Sequence, residues 1–156
     1  MAESGIGAAV RRKEDYRFLT GQGRFVDDIN RPGQVYAYFV RSPLAHASIK
    51  SVNTKQALAA PGVEAVFTGE DLGADGVGGV PCGFAPDGGP IKEPPRPALA
   101  QGKVRFVGDM VAVVIAESLE QAKDAVELVE IDYEELPAVV SMEDAIKPGT
   151  AQLHDD

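Results

Sequence analysis

Met110 to Ala116 is seven apolar residues without a break, mostly β-branched (Met-Val-Ala-Val-Val-Ile-Ala). A strand with one wet face alternates polar and apolar residues; this run does not, so it reads as a central strand covered on both sides. It is far too short to cross a bilayer, which takes about 20 residues in a helix. What surrounds the run must therefore supply two covering layers. Val113→Asp, a charge set between them, is expected to cost several kcal/mol, and deletion of residues 76–89 much less.

The flanks supply the elements. Arg31-Pro32-Gly33-Gln34 fits a type II turn. A strand over 34–41 follows, and Ser42-Pro43-Leu44 breaks it. A second strand, about 46–53, alternates His46, Ser48 and Lys50 with Ala47 and Ile49. Thr54 is placed to cap a short helix to Ala60, which Pro61-Gly62 stops. Val63 to Thr68 is a third strand, and Gly69-Glu70-Asp71-Leu72 one helical turn. Past the central run, Ser118-Leu119-Glu120-Gln121 is a capping box. Leu119, Ala122, Val126 and Val129 then mark one apolar helix face. Glu130 to Tyr133 is a strand, and Ser141 opens a short helix through Ile146. Strands alternating with short helices indicate a mixed α+β (α/β) domain. Several connections are too short for helical crossovers, so at least one antiparallel pair is expected.

Two segments stand apart. Residues 1–24 read as an extended arm lying on something larger, anchored by Phe18 and Leu19. Between Gly73 and Pro97, 13 of 25 residues are Gly or Pro, so no helix or strand is expected there. Long loops inside compact domains are characteristically functional or disordered. Val80, Phe84 and Ile91 are placed to pin this one to a neighbouring surface.

Charge narrows the partners. Residues 1–100 carry 11 basic and 11 acidic side chains; residues 101–156 carry 4 and 13, and account for the whole net charge of −9. Such a surface repels phosphate backbones and argues against nucleic acid. The single cysteine, Cys82, precludes an internal disulfide, a Cys-based zinc site and an iron–sulfur cluster held by this chain. No secretory signal and no transmembrane segment is legible, so the expected compartment is the cytoplasm.

The usual constellations do not assemble. Gly5-Ile6-Gly7-Ala8-Ala9-Val10 lacks the last glycine of a dinucleotide fingerprint and has no strand before it. His46 reads as structural and His154 as part of a frayed end. Asp27-Asp28 and Glu134-Glu135 are neighbours whose side chains diverge on an extended chain, so turn and edge roles are expected. Cys82 has no cationic neighbour in sequence to activate it. No catalytic, cofactor-binding or metal-ligating residue is assigned.

In order along the chain, several blocks resemble one family. They are Arg17-Phe18-Leu19-Thr20-Gly21 with Gly23 to Ile29; Arg41 to Ile49; Ala60-Pro61-Gly62-Val63 with Thr68 to Leu72; Val104 to Ser118; and Tyr133-Glu134-Glu135-Leu136-Pro137 with Asp144-Ala145. They are similar to the molybdenum hydroxylases, the xanthine dehydrogenase and aldehyde oxidase family, and most like large chains of the aerobic carbon monoxide dehydrogenase type. The resemblance implies one α/β hammerhead domain over 1–156, a mixed sheet with short helices, as a fragment of a longer large subunit. It implies a molybdenum-dependent oxidoreductase as the parent, with molybdopterin cytosine dinucleotide and the catalytic glutamate in the domains that follow. FAD and 2Fe-2S clusters would sit on companion flavin and iron–sulfur subunits, in a homo-oligomer of the heterotrimer. The isolated chain is then expected to be inactive, a scaffold and substrate-channel wall. Val80, Pro81, Cys82 and Phe84 are the candidate channel residues. The rival reading is a stand-alone, non-catalytic assembly module docking through residues 1–24 and the apolar loop residues.

Overall fold

The computed structural model describes residues 7, 10–81, 83, 88–89 and 93–154. These fall into two compact units, Met1–Gln34 and Val35–Asp156. In the first, the described part of the segment expected to be an arm carries short local structure. Helix α1 (Asp15–Leu19) is followed by a 3-10 turn at Val26–Asp28. The Phe18 and Phe25 rings stack with centroids 5.5 Å apart, a contact that favours the turn between them. Asp28 accepts a hydrogen bond from the Phe25 amide at 2.9 Å, the turn role expected of it. Gly33 takes φ +75°, and the Gln34 amide donates to the Arg31 carbonyl at 3.1 Å, closing the expected type II turn.

The second unit holds two three-stranded sheets, and every strand pair in them is antiparallel. One sheet has the order β1 (Tyr36–Arg41), β5 (Met110–Ala116), β3 (Val63–Thr68). The other has the order β4 (Lys103–Val104), β2 (Ala47–Asn53), β6 (Glu130–Glu135). The apolar run is thus the central strand of its sheet, as its composition requires.

Its two faces are covered differently. Ala112, Val114 and Ala116 lie beneath helix α4 (Leu119–Val126), whose Ala122 and Ala125 are fully buried. Lys123 of α4 reaches over the Tyr38 ring, which is paired beside Val114, so α4 lies on this face. On the other face only Val111 is sealed. It joins Ala47, Ala100 and Val104 in the core that ties the two sheets together, with Leu44, Ile49, Val52, Ile131 and Tyr133 around it. Val113 and Ile115 are half-buried, and Phe39 and Phe67, the cross-strand neighbours of Val113, are 37% and 39% exposed. The expectation of two covered faces therefore holds for one face and one end of the other. An apolar run shows that a strand is central but not how far each covering layer extends.

Caps explain where the helices begin. Thr68 accepts from the Asp71 amide while Asp71 accepts from the Thr68 amide at 2.7 Å, and this capping box extends the single expected turn into α3 (Gly69–Ala74). The Thr68 hydroxyl and amide together hold the Asp71 carboxyl below its usual range. Ser118 accepts from the Gln121 amide at 3.2 Å, but the Gln121 side chain takes the Ser118 hydroxyl at 2.8 Å, so only half of the expected box forms. Thr54 makes no side-chain cap to α2 (Lys55–Leu58); Asn53 instead accepts from the Lys55 amide at 3.3 Å. Ser141 caps α5 (Met142–Ala145) through the Asp144 amide at 3.4 Å.

Candidate functional site

The loop singled out by its glycines and prolines leaves α3 at Asp75 and returns to the core at Leu99. Among its described residues there is no further helix or strand. Its base is fixed: the Val77 amide donates to the Leu72 carbonyl at 2.9 Å and the Val80 amide to the Arg96 carbonyl at 2.8 Å. Of the candidate channel residues, Val80 is exposed and stands beside Pro81 at the exit from this base. Cys82 and Phe84, with Ile91, lie outside the described residues.

The loop's root is welded to the core by a close approach. A Cβ on Gly69 would lie 2.2 Å from the Ala100 carbonyl oxygen, so only glycine admits the α3 start to the backbone at the end of the loop. Gln101 donates to the Gly69 carbonyl at 3.1 Å across the same seam. Ahead of β5, the Ala100 amide donates to the Met110 carbonyl at 2.6 Å, and Ser42 exchanges backbone bonds with Asp109 and Gly108 at 2.9 and 2.8 Å.

His154, expected in a frayed end, is instead half-buried with its Nδ1 shielded from solvent, beside Leu153, whose carbonyl accepts from Arg105 Nε at 3.0 Å; the remaining candidates among the described residues take the roles their positions suggested. His46 is buried, with Nδ1 2.8 Å from the Pro137 carbonyl, so this nitrogen carries the proton. Its Nε2 is buried without a partner among the described residues. Glu134 pairs with Lys50 on the edge strand β6, and Glu135 stands opposite Ala47; the two carboxylates do not converge. Tyr133 is pushed above the ordinary phenol range, first by burial and further by the nearby Asp109 charge, with Ser42 opposing. The Ser42 hydroxyl is engaged by the Leu44 backbone at 2.9 and 3.0 Å, and the Tyr133 hydroxyl makes no hydrogen bond among the described residues. Among the described residues, no three His, Cys, Asp or Glu side chains gather as a metal site. None of their helices is long and apolar enough to cross a membrane.

One group escaped the sequence reading. Arg96, Gln101 and Arg105 line a cavity of about 260 Å³ beneath the loop. They come from the loop's last turn, the seam and β4's end, and no local pattern joins them. The only signal was two arginines close to a run of prolines.

Two antiparallel three-stranded sheets tied through one small core, with short capped helices and a long loop rooted at the seam, define an α/β hammerhead. The chain belongs to the aldehyde oxidase and xanthine dehydrogenase family: residues 20–137 match that family's a/b hammerhead domain. It is 41% identical over 156 residues to the carbon monoxide dehydrogenase large chain of Hydrogenophaga pseudoflava, covering 100% of this chain and 18% of that protein. Quinoline 2-oxidoreductase from Pseudomonas putida 86 superposes with a TM-score of 0.85 at 43% identity, over 96% of this chain and 19% of that one. A copper- and molybdenum-containing carbon monoxide dehydrogenase superposes with a TM-score of 0.80 at 41% identity, over 94% and 18%. The chain therefore spans about a fifth of the length of the proteins it matches. It is a hammerhead domain of the molybdenum hydroxylase large-subunit kind, similar to that of carbon monoxide dehydrogenase.

Proposed function

We propose that this domain serves as scaffold and substrate-channel wall in the large subunit of a molybdopterin-dependent oxidoreductase of the carbon monoxide dehydrogenase type. The observation that carries the reading is the 41% identity with a carbon monoxide dehydrogenase large chain along the full 156 residues. The cofactor belongs outside this domain. Molybdopterin cytosine dinucleotide would be held by the rest of the large subunit, and FAD and 2Fe-2S clusters by companion subunits in a cytoplasmic homo-oligomer of the heterotrimer. The stand-alone assembly reading has no observation in its favour.

What the domain contributes is position. The loop containing Val80, Pro81, Cys82 and Phe84 springs from a base closed by the Val80–Arg96 bond and a seam that admits only glycine at 69. A fixed root sets the point from which such a loop leaves the domain, which is what a channel wall needs of its scaffold. The test uses the parent enzyme with residues 76–89 removed, assayed with carbon monoxide and with quinoline. A KM raised at least threefold, with molybdenum content unchanged, is expected for the substrate turned over. Unaltered KM and kcat would show that the loop lines no channel.

A further inference from the structure

The cavity beneath the loop has a lining at odds with the rest of the molecule. The chain carries 24 acidic and 15 basic side chains, yet the described residues that line this space include two arginines and no carboxylate. Arg105 is half-buried and held in place: Nε donates to the Leu153 carbonyl at 3.0 Å and Nη1 to the Lys103 carbonyl at 3.3 Å. Both side-chain bonds are to neutral carbonyls, and the Asp109 carboxylate is taken up by the Arg105 backbone amide at 3.0 Å, so the guanidinium makes no ion pair among the described residues. The Arg96 guanidinium is exposed and has no ion-pair partner among the described residues. Its backbone is nevertheless fixed. The Val80 amide donates to the Arg96 carbonyl, and a Cβ on Gly79 would lie 2.8 Å from that same oxygen. Gln101 adds a side-chain amide anchored on the Gly69 carbonyl, while Val77, Pro95 and Pro97 supply apolar walls.

Apolar walls with a few fixed polar groups are the general form of a small-molecule site. A guanidinium fork prefers the planar, two-oxygen geometry of a carboxylate, and one already immobilised loses little freedom on binding. We propose that this cavity binds a small organic carboxylate, its two oxygens on Arg105 and Arg96 and its apolar body against Val77, Pro95 and Pro97. At about 260 Å³ the space admits a ligand of about one ring. The site needs only residues of this chain, so it stands or falls separately from the channel-wall role.

The test is a titration of the 156-residue protein followed by nuclear magnetic resonance, reading the Arg105 Nε–H and Gly79 amide signals. The probes are benzoate, its neutral counterpart benzamide, and inorganic phosphate. Benzoate is expected to give saturable shifts with a Kd of about 1 mM, the strength of roughly one paired charge with modest apolar burial. Benzamide and phosphate should each bind at least fivefold more weakly, and so should benzoate to Arg96→Gln, a surface change that leaves the fold intact. Shifts that rise linearly without saturating would overturn the proposal. So would equal affinity for benzamide, equal affinity for phosphate, or unchanged affinity in Arg96→Gln.

Discussion

Tyr133 packs against the core that joins the two sheets, and its hydroxyl makes no hydrogen bond among the described residues. Burial and the Asp109 charge raise its ionisation above the ordinary value of 10.0. The unfolded chain releases this proton first, so stability is intact below pH about 10 and falls as the pH climbs beyond it. Denaturation at stepped alkaline pH should show that fall, and Tyr133→Phe should reduce it; an identical profile in the variant would assign the loss to other groups. Gly69 makes a second residue-scale case. An added methyl would meet the Ala100 carbonyl carbon and oxygen at 2.9 and 2.2 Å, backbone that cannot swing aside. Gly69→Ala should cost about 1–3 kcal/mol in urea denaturation despite its better helix propensity, the penalty of overpacking. A neutral or stabilising result would mean that the seam is looser than drawn. Neither effect was legible in the sequence. Both depend on atoms distant in the chain, and Tyr133 was visible there only as part of a strand and of a family block.

At the scale of elements, local chemistry was largely readable. Pro and Gly placed the turn at 31–34, the β-branched run placed β5 in the middle of its sheet, and the 3.6-residue spacing placed α4. What failed did so for a physical reason. An apolar run is compatible with faces covered fully or in part, so Val113, expected between two layers, sits instead on a half-open face beside Phe39 and Phe67. Val114, one residue on, is fully buried under α4. Val114→Asp should therefore cost at least 3 kcal/mol more than Val113→Asp, because an unpaired charge beneath the helix cannot reach water. Thermal melts of the two variants check this, and equal destabilisation would contradict the layer assignment. The local structure of the described residues before Gln34 was not legible either. Its turn back through stacked Phe18 and Phe25 rests on a ring contact that no propensity scale registers.

For the whole molecule, the family was legible because the blocks that carry it are those the fold needs. Val104 to Ser118 supplies the end of β4, the turn at Asp109, the central strand and the α4 cap. Such residues name an architecture without supplying an acid, a base or a ligand. The cavity with Arg96 and Arg105 shows the converse, a chemical feature assembled from positions that no motif connects. The central claim is that this domain supports a molybdenum centre it does not itself hold. Metal content by inductively coupled plasma mass spectrometry tests that most directly, on the 156-residue chain and on a large subunit that contains it. The expected result is molybdenum near one equivalent in the large subunit and none above background in the domain; stoichiometric molybdenum in the 156-residue chain would contradict it.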